Sequence, residues 1–105
     1  MARLLDYSMD EVEARSILDD TLSHLRGLAY SALVERYLGE IDAYEVAGKS
    51  GAEYQIEVEV FWDDPRVPHG NLRVIAAIDD GRGWRSIAPL TDSFIKAPDG
   101  TFVGE

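Results

Sequence analysis

The stretch Glu53–Trp62, reading EYQIEVEVFW, decides the fold. Successive side chains of an extended chain point to opposite faces. Tyr54, Ile56, Val58, Val60 and Trp62 therefore fall on one side, and Glu53, Gln55, Glu57 and Glu59 on the other. Only Phe61 breaks the rule. The alternation predicts a strand with one buried and one wet face, as in antiparallel sheets. A buried Val, Ile or aromatic side chain contributes roughly 1.5–3 kcal/mol, so this inner face contributes on the order of 10 kcal/mol before conformational entropy is subtracted.

The same period of two extends outward from this stretch. Upstream, Gly48-Lys49-Ser50-Gly51 is turn chemistry, and Ile41–Ala47 reads as a strand whose faces are less cleanly separated. Downstream, Asp63–Gly70 (DDPRVPHG) carries two prolines and a glycine and must be a loop. Leu72–Asp79 is the next strand, with Leu72, Val74, Ala76 and Ile78 on one face and Arg73, Ile75, Ala77 and Asp79 on the other. Asp80–Gly83 turns the chain, and Trp84–Ala88 reads as a returning strand that Pro89 stops. Ser93–Ala97 and Thr101–Val103 are extended segments on either side of the tight turn Pro98-Asp99-Gly100.

Upstream of residue 40 the period changes to that of a helix. Ser8-Met9-Asp10-Glu11 is a helix start in which Ser8 can cap the amide of Glu11. Ala14, Ile17, Leu18, Leu22, Leu25, Leu28, Ala29, Ala32 and Leu33 then form one stripe at 100° per residue. A single helix from Met9 to Leu38 would be ~45 Å long, in a domain only about 35 Å across. Gly27 lies mid-run, where glycine costs about 1 kcal/mol relative to alanine. The sequence therefore predicts a bend or break near Arg26–Leu28, with helical segments at 9–25 and 28–38 and Gly39 ending the second. The expected architecture is a single α+β domain over residues 1–105. Its N-terminal helix, bent or broken near Gly27, packs on one face of an antiparallel β-meander of about four to five strands.

Composition narrows the function classes. The chain has no cysteine, which excludes a disulfide framework and thiolate chemistry and makes a cytoplasmic location the expectation. No apolar run approaches the ~20 residues of a membrane helix, and MARLLDYSMDE lacks a signal-peptide core. The net charge is −10, from 20 acids against 10 bases, and the excess is spread along the chain. Direct nucleic-acid binding needs a basic footprint, and anionic membranes repel such a surface. Neither is an expected partner, and no cofactor motif is present.

The best chemical constellation depends on strand direction. If the meander is antiparallel, the loop Asp63–Gly70 lies at the same end of the sheet as Pro89–Asp92. Asp63, Asp64, His69 and Asp92 would then converge, and carboxylates with an imidazole can hold a divalent metal or do acid–base work. The same residues are ordinary turn formers, and their spacing matches no metal signature. His24 stands four residues after Asp20, the spacing of a helical ion pair. Asp79–Gly83 lacks the alternating ligands of a calcium loop and the helix context of a phosphate loop. Ser93 lacks the glycines of a nucleophile elbow. The sequence leans away from an enzyme.

The sharper anomaly is apolar. Phe61, Ile75 and Ala77 fall on faces that the pattern assigns to solvent, and Ile87 joins them. An apolar patch on the outer sheet face marks a contact surface, for a two-fold homodimer or another protein partner. Alternatively the segment 93–105, with Phe94, Ile95, Phe102 and Val103, folds back over it. Two functions follow as expectations. One is a small acidic non-catalytic interaction module, self-associating through its outer sheet face. The other is a ligand-binding or enzymatic cone of helix on curved sheet, with the Asp/His cluster at its mouth.

Overall fold

The computed structural model describes residues 10–80 and 89–105. Two helices, α1 (Glu11–Arg26) and α2 (Tyr30–Tyr37), precede four strands. The strands are β1 (Ile41–Ala47), β2 (Glu53–Trp62), β3 (Leu72–Asp79) and β4 (Leu90–Lys96). They form one antiparallel sheet in the order β1-β2-β3-β4, so the α+β meander expected from the sequence is the observed fold.

Each helix boundary has a local cause. The expected cap Ser8 lies outside the described residues; Asp10 fills the role, its Oδ1 accepting the Glu13 amide at 3.1 Å. The break falls at Gly27-Leu28-Ala29, where predicted, with the Gly27 amide closing the last turn on the carbonyls of Ser23 and His24. Beyond α2, Gly39 adopts φ 81°, a left-handed conformation that stops the helix and suits a residue without Cβ.

The facing predicted for β2 and β3 holds at every core position. Tyr54, Ile56, Val58 and Val60 are buried, and they face the same layer as buried Leu72, Val74, Ala76 and Ile78. Ala14, Leu18, Leu22 and Leu25 of α1 and Leu33 of α2 close the core from above. α1 rests on β3 and β4, while α2 rests on β2.

β4 departs from expectation. It begins at Leu90 rather than Ser93 and pairs directly with β3, from Ile78↔Leu90 to Leu72↔Lys96. The polar residues Thr91, Asp92 and Ser93 hid this strand: all three are exposed, Thr91 and Ser93 on the outer face and Asp92 on the inner face beside Arg15. The expected strand Trp84–Ala88 and the turn Gly81–Gly83 lie outside the described residues.

After the turn at Pro98–Gly100 the chain does not fold over the outer face. Phe102 bridges to Lys96, and the Val103 amide donates to the Ile95 carbonyl at 2.9 Å, so this segment prolongs the sheet beyond β4. Phe102 turns to the core side, edge-on to buried Phe94 with centroids 5.7 Å apart.

α1 is tied to the sheet at both ends. At its start, the Glu13 carboxylate accepts the Ser50 hydroxyl (2.6 Å), the Ser50 amide (2.9 Å) and the Tyr54 hydroxyl (2.7 Å). Gly48 leaves room for it: a Cβ there would lie 2.5 Å from Glu13 Cδ. At its end, the Lys96 ammonium donates to the Arg26 and Leu28 carbonyls at 3.1 and 2.7 Å. Arg26 in turn stacks its guanidinium 4.0 Å from the centroid of Phe102 and pairs with Glu105.

The Glu13–Tyr54 contact predicts stability loss at both pH extremes. Hydrogen bonds from Ser50, then from Tyr54, hold the Glu13 carboxyl below its ordinary 4.5. Burial, followed by the hydrogen bond to Glu13, pushes Tyr54 up to about 12. A lowered carboxyl stabilises the fold above its unfolded value, and that contribution is lost as pH falls through the folded value. A raised phenol stabilises below its unfolded value of 10, and that contribution is lost as pH rises toward about 12. Asp64, Asp99 and Glu105 are also lowered and Tyr30 and Tyr44 also raised, so variants must isolate the pair. Melting temperature against pH is expected to show a smaller acid step in Glu13→Gln and a smaller alkaline step in Tyr54→Phe. Unchanged steps would mean the contact is not coupled to folding.

Candidate functional site

The loop between β2 and β3 holds three of the four residues expected to converge. Asp63 Oδ1 accepts from Arg73 Nε at 3.0 Å. Asp64 accepts the Arg66 amide at 3.0 Å and its guanidinium at 3.1 and 3.2 Å, and those hydrogen bonds hold its carboxyl below the ordinary range. His69 takes the left-handed φ of 66° and sets its ring 5.2 Å from that of Trp62. Asp92 lies elsewhere. It sits within β4 opposite Ala76, on the face toward α1, with Arg15 at 3.6 Å. Four residues separate it from Lys96 at the loop end of the sheet, about 13 Å along a strand. The direct β3–β4 pairing is the reason, since it makes residues 90–92 strand rather than loop. All three carboxylates are thus paired with an arginine. Among the described residues, no group of three or more His, Cys, Asp or Glu side chains could hold a metal ion.

The outer face of the sheet carries no covering element among the described residues. The pairing arranges it in rows: Phe61, Arg73 and Ile95; Ile41, Glu59, Ile75 and Ser93; Ala43, Glu57, Ala77 and Thr91. Val103, opposite Ile95, extends the first. Phe61 is 39% exposed, Ile41 62% and Val103 40%, while Ile75, Ala77 and Ile95 are half-buried. Phe61 and Ile75 are diagonal neighbours, within reach of one another on adjacent strands. Of the patch expected from sequence, Ile87 lies outside the described residues.

Beside this apolar strip runs a carboxylate ladder. Glu57 is flanked across the strands by Ala43 and Ala77, and Glu59 by Ile41 and Ile75. Wet-face acids are commonly opposed by bases, but here none is. Arg73 is the one cation on the outer face of the four strands, and Asp63 occupies it. The ladder is legible in the sequence; its missing counter-charges become visible only with the register.

On the inner face, a cleft opens over β1. A helix about 10 Å wide covers roughly two strands spaced 4.8 Å apart. With α1 chiefly over β3 and β4 and α2 over β2, β1 is the least covered strand, its Tyr44 hydroxyl reaching the Thr21 hydroxyl of α1. The resulting cleft has a volume of about 350 Å³ and a floor of Ile17, Leu25, Val46 and Val58. Its rim is polar, formed by Asp20, Thr21, His24, Tyr37 and Tyr44. Burial pushes the Tyr44 hydroxyl above its ordinary value, with the Thr21 hydroxyl working against the shift. Asp20 and His24 both stand at this rim, without joining in an ion pair among the described residues. Sequence reasoning did not assemble this cleft, because Tyr37 and Tyr44 meet His24 only through the packing of three elements.

No helix among the described residues is long and apolar enough to cross a membrane. Fold and site together define a two-layer α+β protein with one sheet face uncovered among the described residues. Compared with known family models, curated proteins and solved structures, the chain matches none.

Proposed function

We propose that the protein is a non-catalytic interaction module that binds a basic protein segment on the outer face of its sheet. One observation carries this reading: the partly exposed strip of Phe61, Ile75, Ile95 and Val103 lies against Glu57 and Glu59, whose cross-strand neighbours supply no cation. The strip offers apolar area, and the ladder offers unneutralised charge to an opposite partner. A second copy fits this face poorly, because it would set carboxylates against carboxylates.

The test uses a synthetic peptide of alternating lysine and valine, with an aspartate–valine peptide as control. Amide NMR shifts are expected at Glu57, Glu59, Phe61 and Ile75 with the basic peptide alone. Binding should weaken about tenfold in a Glu57→Gln, Glu59→Gln double variant, the equivalent of about 1.4 kcal/mol. Undiminished binding in that variant, or shifts confined to other surfaces, would overturn the proposal. A second reading rests on the cleft: about 350 Å³ with an apolar floor and polar rim is the size and make-up of a small-ligand site. Shifts centred on Tyr37, Tyr44 and His24 would favour it.

A further inference from the structure

The two edges of the sheet are not alike. Beyond β4, Phe102 and Val103 continue the pairing. Beyond β1 no described element pairs, and its seven residues run in unbroken register with β2. An open edge strand is ordinarily protected by proline, charged side chains or a bulge. The sequence Ile41-Asp42-Ala43-Tyr44-Glu45-Val46-Ala47 has no proline, lysine or bulge, and its charges are the two acids Asp42, on the inner face opposite Val58, and Glu45.

The hydrogen-bond parity shows which groups are free to pair. Gly48 donates to the Ala52 carbonyl at 2.8 Å, closing the hairpin. Peptide groups alternate direction along a strand, so Val46, Tyr44 and Asp42 turn theirs toward β2. Ile41, Ala43, Glu45 and Ala47 turn both N–H and C=O outward.

We infer that β1 is the contact between two copies of this chain, paired antiparallel about a two-fold axis at Tyr44. This register uses all seven residues and sets outward groups against outward groups, for about eight ladder hydrogen bonds. Ala43 faces Glu45 of the partner subunit, Asp42 faces the partner's Val46, and Ile41 faces the partner's Ala47. No acid opposes an acid. A shift of the axis by one residue to Glu45 would place that carboxylate against its own copy, which the face-to-face charge rule disfavours. Tyr44, 41% exposed in the single chain, meets the partner's Tyr44 in a pair without hydrogen bonds, where side chains come closest. Opposed residues project to the same face, so the cleft of one copy continues into that of the other across the two tyrosines.

The assembly is independent of the outer-face reading, and separate variants tell them apart. Sedimentation velocity should show a concentration-dependent dimer that strengthens with salt, since each copy carries a net charge of −10. Ala43→Pro removes an amide that β2 does not use, so dimer should be lost while the monomer stays folded by circular dichroism. Ala43→Glu places an acid opposite Glu45 twice over and should weaken association about tenfold. Phe61→Lys should leave it unchanged. The chain has no cysteine, so a single Tyr44→Cys should cross-link under mild oxidation, its Cα atoms lying about 4.5 Å apart. Ala47→Cys should not, being six residues or about 20 Å from its own copy. A strict monomer at all concentrations, a dimer indifferent to both Ala43 variants, or equal cross-linking at 44 and 47 would overturn the inference.

Discussion

Val58→Asp is expected to leave the protein unfolded at room temperature, while Glu57→Gln, one residue away, melts with the wild type. Val58 is 1% exposed, in the middle of the inner face of β2. A carboxylate there loses its hydration and gains no counter-charge. Its cross-strand neighbours are Ala76 on β3 and Asp42 on β1, and Ile56 and Val60 flank it along the strand. An unpaired buried charge costs several kcal/mol, comparable to the 5–15 kcal/mol that holds a domain together. Glu57 instead faces solvent between Ala43 and Ala77, and neutralising it should change stability by less than about 0.5 kcal/mol. Urea titration followed by circular dichroism separates the two. Equal midpoints would mean that the facing of the central strand is misassigned.

The second large effect is expected from Lys96→Met. Lys96 is 7% exposed on the core side of β4, between Leu72 and Phe102. Its ammonium holds the carbonyls of Arg26 and Leu28, at the negative end of the α1 dipole. Methionine fills the same volume but donates nothing, leaving two carbonyls short of a partner at about 1–3 kcal/mol each. Relief from burying the charge returns part of this, so a net loss of about 2 kcal/mol is expected. Hydrogen exchange should localise it: amides in the last turn of α1 open more readily than those at its start. A variant as stable as wild type, with unchanged exchange, would show that water serves those carbonyls equally well.

Lys96 also marks the limit of reading this chain residue by residue. A lysine near the end of a polar-leading strand suggests solvent, and nothing within ten residues suggests otherwise. Its partners are 70 and 68 positions away, and they exist as acceptors only because α1 ends at Gly27 above β4. The same holds for Asp92. Its neighbours in sequence read as loop, and its place on a strand opposite Ala76 follows from which strand pairs with β3. The site imagined from Asp63, Asp64, His69 and Asp92 therefore rested on a connection between strands, which local pattern does not encode.

Side-chain alternation, by contrast, is a local property, and it was decisive wherever one face was buried. Tyr54 to Val60 and Leu72 to Ile78 declared their facing in sequence, because a one-residue slip would turn every apolar side chain to water. The break at Gly27 was equally legible, since a glycine mid-stripe and the length of an unbroken helix both opposed continuation. Phe61, Ile75 and Ala77 announced an outer face that is not uniformly polar. Tertiary structure alone decided that α1 sits chiefly over β3 and β4 and covers β1 least, opening the cleft at Tyr44 and the free edge beside it. A helix covers about two strands, and which two is chosen by the summed fit of side chains far apart in the chain, not by the period of any one segment.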